Sequence, residues 1–273
     1  MIVIFNKAGQ FCNRNLLFAH CIASAVKYNQ RVFHLFFDDL EKYICREDRT
    51  NGRIGYAKKQ NYRLFRLNEE IINRRSREKQ CTVSQKKANS VRKNRGIHII
   101  WNWYYRDYPA LFEQREAVLA FLKPRDMYFQ NARANILKNR GDAQILVGLH
   151  IRRGDYIEWR GGKHYYDDEA YVGFMKRFSE SCVEKKIKFL LCSDEKINFQ
   201  HFENSGIDFF AGTGNFIEDI ASLSLCDYVM GPPSTFSWWA AYIGMNKYYQ
   251  IECADALISP DRFSTVEDER FFV

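Results

Sequence analysis

Short apolar runs alternate with helical patterns through the second half of the chain, and no other feature restricts the fold as much. The runs ILVGLH (145–150), IKFLLC (187–192), DFF (208–210), DYVMG (227–231) and KYYQIE (247–252) read as short buried strands. Between them lie helical patterns at roughly 168–185, 216–226 and 235–244. This alternation predicts a parallel sheet covered on both faces by helices. Ligands of such sheets bind at the carboxyl ends of the strands, so the residues just after each run become candidates. The first half opens the same way, with a strand IVIF (2–5), a polar turn NKAGQFC, a helix from Asn13 to Tyr28 and a strand RVFHLFF (31–37). Further on, IHIIW (97–101) reads as a strand, and Ala110 to Phe121 as a helix that Pro124 stops. The expected architecture is α/β with two lobes, 1–135 and 145–273. The polar segment RANILKNRGDAQ (133–144) is the expected crossover between them.

Composition bounds the partners. At 46% hydrophobic and 27% charged residues, the 273-residue chain has an ordinary globular balance, which argues against disorder. The net charge of +8 is concentrated in 74–95, RRSREKQCTVSQKKANSVRKNR, where Glu78 is the single carboxylate. Such a run forms a solvated loop or helix face, or else docks on a membrane surface or an acidic substrate. None of the eight cysteines has CxxC spacing, which argues against zinc and for free thiols in a reducing compartment. No apolar run has the length of a signal peptide core or a membrane span, so a soluble, cytoplasmic protein is expected. Aromatics reach 16%, and aromatic faces on loops are one way of holding sugar rings, although most such residues belong to cores.

Four strand-end stretches could carry chemistry. HIRRGDY (150–156) sets His150, Arg152 and Arg153 at the end of a strand, beside a turn permitted by Gly154. Arginine presents a planar fork of donors that fits phosphate and stays charged at any working pH. A departing diphosphate gains negative charge as its bond breaks, so such an arginine favours the transition state over the ground state. Asp155 is placed to orient one arginine; a purely structural ion pair is the other reading. GPPSTFSWWAAYIG (231–244) puts Ser234, Thr235, Phe236 and Ser237 at a helix start, where unpaired N–H groups receive phosphate or the serine merely caps. Asp219, in the first turn of a helix, either complements the helix dipole or accepts hydrogen bonds from a guanine edge. Asp194, in CSDE, has the same two readings. GQFCN (9–13) is another strand-to-helix turn, from which Asn13 reaches a phosphate or a sugar hydroxyl. GxxxxGK, HExxH and a GxGxxG after the first strand are all absent. Asp38-Asp39 and Asp167-Asp168 do not form an Asp-x-Asp between apolar residues. Metal-bridged diphosphate chemistry is therefore not expected, and Arg152 would supply that charge.

In order and spacing, GQFCN, HIRRGDY and EDIASLSLCDYVMGPPSTFSWWAAYIG resemble the α-1,2-fucosyltransferase-like family of the fucosyltransferase superfamily. That family has Gly-x-x-Gly-Asn, then His-x-Arg-Arg-x-Asp, then Ser-x-Phe-Ser-Trp-Trp-Gly. The resemblance implies a GT-B fold with two Rossmann-like lobes facing across a cleft. It also implies GDP-fucose as donor, a glycan as acceptor, and inversion at the anomeric carbon with neither metal nor cofactor. Carried over, Arg152 is similar to the essential diphosphate-binding arginine, with His150 and Asp155 supporting it as the catalytic group. Asn13, in the turn begun by Gly9, resembles the asparagine that reaches the donor. Asp219 resembles the guanine reader, and Ser234 with Thr235 the phosphate-contacting pair. Arg153, Asp194, Phe236 and Ser237 complete the expected donor site. Cys12, Pro232-Pro233 and Ala240 depart from the family pattern. No acceptor-side base stands out among Asp38, Asp39, His20, Glu158 and His164. Two alternatives remain: a different nucleotide sugar, or a non-enzymatic protein using 74–95 to bind nucleic acid or an acidic surface.

Overall fold

Parallel strands dominate both halves of the computed structural model, which describes residues 1–7, 9–58, 91 and 96–267. The basic run 74–95 lies outside the described residues, apart from Val91. The chain divides into two compact units, Met1–Arg125 and Asp126–Val273.

In the N-terminal unit, β1 (Ile2–Ile4), β2 (Val32–His34), β3 (Ile54–Tyr56) and β4 (His98–Ile100) form a sheet in the order β3-β2-β1-β4, all parallel. Helix α1 (Phe11–Lys27) follows β1 and packs on α2 (Tyr108–Glu113) and α3 (Arg115–Leu122). The strand expected over 31–37 covers only Val32–His34. The His34 ring turns back, and its Nδ1 accepts the Phe36 backbone N–H at 3.1 Å. That turn releases Leu35 and Phe36 into a small apolar cluster with Ala57.

The C-terminal unit holds β5 (Ile145–Ile151), β6 (Ile187–Ser193), β7 (Phe209–Ala211), β8 (Tyr228–Gly231) and β9 (Lys247–Gln250), parallel and in the order β7-β6-β5-β8-β9. Its helices are α4 (Asp126–Arg140), α5 (Asp168–Glu180), α6 (Phe199–Glu203), α7 (Phe216–Leu223) and α8 (Thr235–Gly244). Val147, Leu149 and Ile151 alternate along β5 and face a core with Phe174 and Phe178 of α5. On the other sheet face, Gly148 lies against Leu223 of α7 and Cys226. Both faces are covered, which is why these strands read as unbroken apolar runs.

The segment 133–144 is not a crossover. Most of it belongs to α4, and the division between units comes earlier than the boundary expected at 135. Phe129, Ala132 and Ile136 repeat at helical spacing and are buried, and the first two pack on Ala221 of α7. A polar exposed face disguised this helix as a linker.

Candidate active site

Among the described strands, each sheet reverses its direction of growth once, and that reversal marks the site. In the C-terminal unit the chain builds β5, β6 and β7 outward, then returns to place β8 on the other side of β5. Doubly wound sheets bind ligands in the crevice outside the strand ends at such a reversal, here those of β5 and β8. The HIRRGDY turn leaves β5 at this point, and GPPST leaves β8.

Arg152 stands at the centre of the crevice. Its Nη2 donates to Asp155 Oδ1 at 2.5 Å, and its Nη1 lies 2.8 Å from Asp194 Oδ2. Two of the five guanidinium N–H donors are used in this way, and the others have no protein partner among the described residues. Asp194, at the end of β6, is a double fastener: its other oxygen, Oδ1, accepts the Arg153 backbone N–H at 3.0 Å. The Arg152 backbone N–H is held by the Tyr171 hydroxyl at 3.1 Å. Gly154 is needed for close approach, since a Cβ there would meet Asp194 Oδ2 at 2.7 Å.

The two neighbouring arginines have different surroundings. Arg153 turns inward, with Nε donating to the Tyr166 carbonyl at 3.0 Å and Nη2 to Asp168 at 2.5 Å. It thereby anchors the turn to the start of α5, where Asp167 caps the helix by accepting the Ala170 N–H at 2.9 Å.

His150 is buried, and its ring lies 4.7 Å from that of Phe236, joining the β5 end to the first turn of α8. Burial, with help from the Arg152 charge, lowers its pKa to about 3, so the ring is neutral at working pH. Because the folded value lies below the unfolded one, this histidine contributes stability that is complete above about pH 6.5 and is lost as pH falls toward about 3. In His150→Gln, the rise in unfolding free energy across that window should be shallower than in the wild type. Chemical denaturation at a series of pH values measures it; identical slopes would refute the burial argument.

Ser234 caps α8, its Oγ accepting the Phe236 N–H at 3.2 Å, and Ser234, Thr235 and Phe236 are half-buried at the helix start. The Tyr156 hydroxyl donates to the Pro233 carbonyl and so ties the two loops together. Ser237, by contrast, is fully buried, with its hydroxyl 3.2 Å from that of Tyr248. Asp219 is also buried; its Oδ1 accepts the Thr213 N–H at 2.9 Å, and burial raises its pKa to about 6. Its carboxylate folds the β7–α7 loop onto the helix start.

In the N-terminal unit, Gly9 adopts φ +90° and lies against Asn13 in the first turn of α1. Of the base candidates, Asp39 is clamped by Arg14 through bonds of 2.7 and 2.8 Å. Burial pushes that carboxyl up, but the Arg14 bonds and charge outweigh it and hold the pKa below its usual value. His20 is buried, with Nδ1 accepting the Asp107 N–H at 3.0 Å. His164 is buried, 3.9 Å from Glu252, whereas Glu158 is exposed. Among the described residues, no group of three His, Cys, Asp or Glu side chains is placed to hold a metal ion, and no helix is long and apolar enough to cross a membrane. No disulfide bond involves the seven described cysteines. Tyr171 and Tyr156, which position the arginine turn and bridge the loops, carry no signal in the sequence beyond being aromatic.

Two parallel α/β units, with an arginine turn and a helix start meeting at a sheet reversal, have the fold of the GT-B class. The chain belongs to glycosyl transferase family 11, whose model matches residues 85–271. It is 30% identical over 124 residues to galactoside alpha-(1,2)-fucosyltransferase 2 of Bos taurus, a match that covers 42% of this chain and 35% of that protein. The match thus spans about a third of the curated relative. Among solved structures, the fucosyltransferase NodZ from Bradyrhizobium superposes with a TM-score of 0.59 at 15% identity, covering 91% of this chain and 94% of that one. Arabidopsis thaliana FUT1, solved in complex with GDP, gives a TM-score of 0.56 at 11% identity, covering 97% of this chain and 73% of that one.

Proposed function

We propose that this protein transfers fucose from GDP-fucose to a hydroxyl of a glycan, with inversion and without a metal or resident cofactor. The observation that carries the proposal is Arg152, held between Asp155 and Asp194 at the β5–β8 crevice beside the start of α8. Family membership and a plant relative solved with GDP support the same donor class.

In this reading the open N–H donors of Arg152 bind the diphosphate, and the start of α8, with Ser234 and Thr235, receives the remaining phosphate oxygens. The acceptor hydroxyl attacks the anomeric carbon from the side opposite the diphosphate. A new C–O bond forms as the bond from that carbon to the phosphate oxygen breaks, and its electron pair leaves with GDP. Charge thus builds next to Arg152, where a fixed donor is worth most. The proton of the acceptor hydroxyl passes to solvent, since Asp39 is committed to Arg14 and His20 to the Asp107 backbone. Asp219 is assigned to the guanine side through the loop it shapes.

Titration with GDP, UDP and ADP tests the donor. GDP should bind at least about tenfold tighter than the others, a difference of roughly 1.4 kcal/mol. Preferential binding of UDP would overturn the guanine assignment. Turnover of GDP-fucose should persist in excess EDTA, and its abolition, with recovery on adding a divalent cation, would overturn the metal-free reading.

A further inference from the structure

The N-terminal sheet has a reversal of its own. β1, β2 and β3 build outward, and β4 returns to the free side of β1. The crevice rule that picks out the β5–β8 ends therefore also picks out the ends of β1 and β4. What lies there is not an arginine turn but aromatic rings and amides. Phe5 and Asn6 follow β1, and Trp101, Asn102 and Trp103 follow β4. Asn6 Nδ2 donates to the Trp101 carbonyl at 3.0 Å, and the Phe5 and Trp101 rings are 4.9 Å apart, so the two strand ends are joined.

We infer that this Trp101–Trp103 loop is a binding platform for a neutral pyranose ring, belonging to the acceptor glycan; the assignment to the acceptor rests on the proposed transfer reaction. Both indoles are partly exposed; Trp101 packs on Phe5, and Trp103 has the Arg106 guanidinium at 5.0 Å and the Tyr104 ring at 4.8 Å. Their ring N–H groups make no hydrogen bond to the described residues. The Asn102 Oδ1 accepts the Tyr104 N–H at 3.2 Å, which leaves its Nδ2 donors open. A flat apolar ring edged with unpaired donors matches a pyranose, which offers a C–H face bordered by hydroxyl acceptors. A phosphate or other anion fits less well, because Arg106 is spent on the Trp103 and Tyr105 carbonyls at 2.5 and 2.8 Å.

The loop is also built to be rigid. Tyr105 and Asp107, just beyond it, are buried and fastened to α1. The Tyr105 hydroxyl donates to Ser24 Oγ at 2.8 Å, and the Ser24 and Tyr28 hydroxyls donate to Asp107 Oδ2 at 3.0 and 3.1 Å. A surface loop held from beneath by a buried carboxylate is preorganised, which lowers the entropic cost of binding.

The test separates this site from the donor site. Indole N–H resonances of Trp101 and Trp103 are followed by NMR during titration with lactose and with N,N′-diacetylchitobiose, and GDP affinity is measured on the same samples. At least one saccharide should shift these two signals, and Trp103→Ala should weaken its binding at least about tenfold while GDP affinity changes less than about twofold. Because Trp101 packs on Phe5 and its loss could disturb the fold, Asn102→Ala serves as the second variant, expected to weaken saccharide binding about threefold or more. Failure of both saccharides to move the indole signals, or unchanged saccharide binding in both variants, overturns the inference. Loss of GDP binding by the wild type would instead overturn the proposed donor and leave the platform standing on its own shifts.

Discussion

Replacing Arg152 with alanine is expected to lower turnover of GDP-fucose by about 10²-fold or more, the usual cost of removing a donor aimed at developing charge. The loss should fall on turnover more than on acceptor KM, because in the proposed mechanism the bond from sugar to phosphate breaks next to the guanidinium. Arg152→Lys keeps the charge but not the fork, and one ammonium cannot span Asp155 and Asp194 while also facing a diphosphate. It should therefore recover only part of the activity. Arg153→Ala is the matched control: its guanidinium is taken up by Tyr166 and Asp168, so its loss should appear as lowered stability rather than as a selective fall in turnover. Steady-state kinetics with a far-UV spectrum on each variant reads all three. Near-normal turnover in Arg152→Ala would remove the central group of the proposed mechanism.

The largest effect on stability is expected from Asp107→Ala. That carboxylate is buried and accepts from Ser24, from Tyr28 and, as the cap of α2, from the Ala110 N–H at 3.4 Å. Its removal takes away an acceptor from the Ser24 and Tyr28 hydroxyls and from the helix start. Each such loss costs roughly 1 kcal/mol or more, so the sum should be about 3 kcal/mol. Urea denaturation should show a lower midpoint with an unchanged slope. Asp107→Asn keeps an acceptor for part of the network and should lose about half as much. A change below about 1 kcal/mol in the alanine variant would mean that the network contributes little to holding the loop above it.

Much of this architecture was legible because buried parallel strands leave unbroken apolar runs. ILVGLH and IKFLLC stand out as β5 and β6 for that reason, and the strand-end rule points to Arg152 as a candidate. The N-terminal strands were harder, since each described one is three residues long and gives little periodicity. Helix α4 was misread because its exposed face is almost wholly polar, although Phe129, Ala132 and Ile136 already showed the spacing. Within the site, residue type could not reveal direction. Arg152 and Arg153 are chemically identical neighbours, and only the positions of Asp168 and Tyr166 turn the second one inward. Ser237 likewise looks like part of a phosphate-binding helix start until Tyr248, on a later strand, is seen against its hydroxyl. The tryptophans at 101 and 103 belong to no motif, and their relation to Asn6 exists only once β4 is laid beside β1.

The two carboxylates around Arg152 also bear on kinetics. Before any donor arrives the guanidinium charge is already compensated, so the crevice casts little long-range field, and association should depend only weakly on ionic strength. In the proposed mechanism an incoming diphosphate takes up N–H groups that the aspartates leave open and competes with the aspartates for the rest. When GDP departs, Asp155 and Asp194 are in place to accept those hydrogen bonds again, and the arginine is never stranded as a bare charge. In that mechanism the same pair that orients the cation for bond cleavage would also ease nucleotide release, a partner exchange in which tight capture is traded for release.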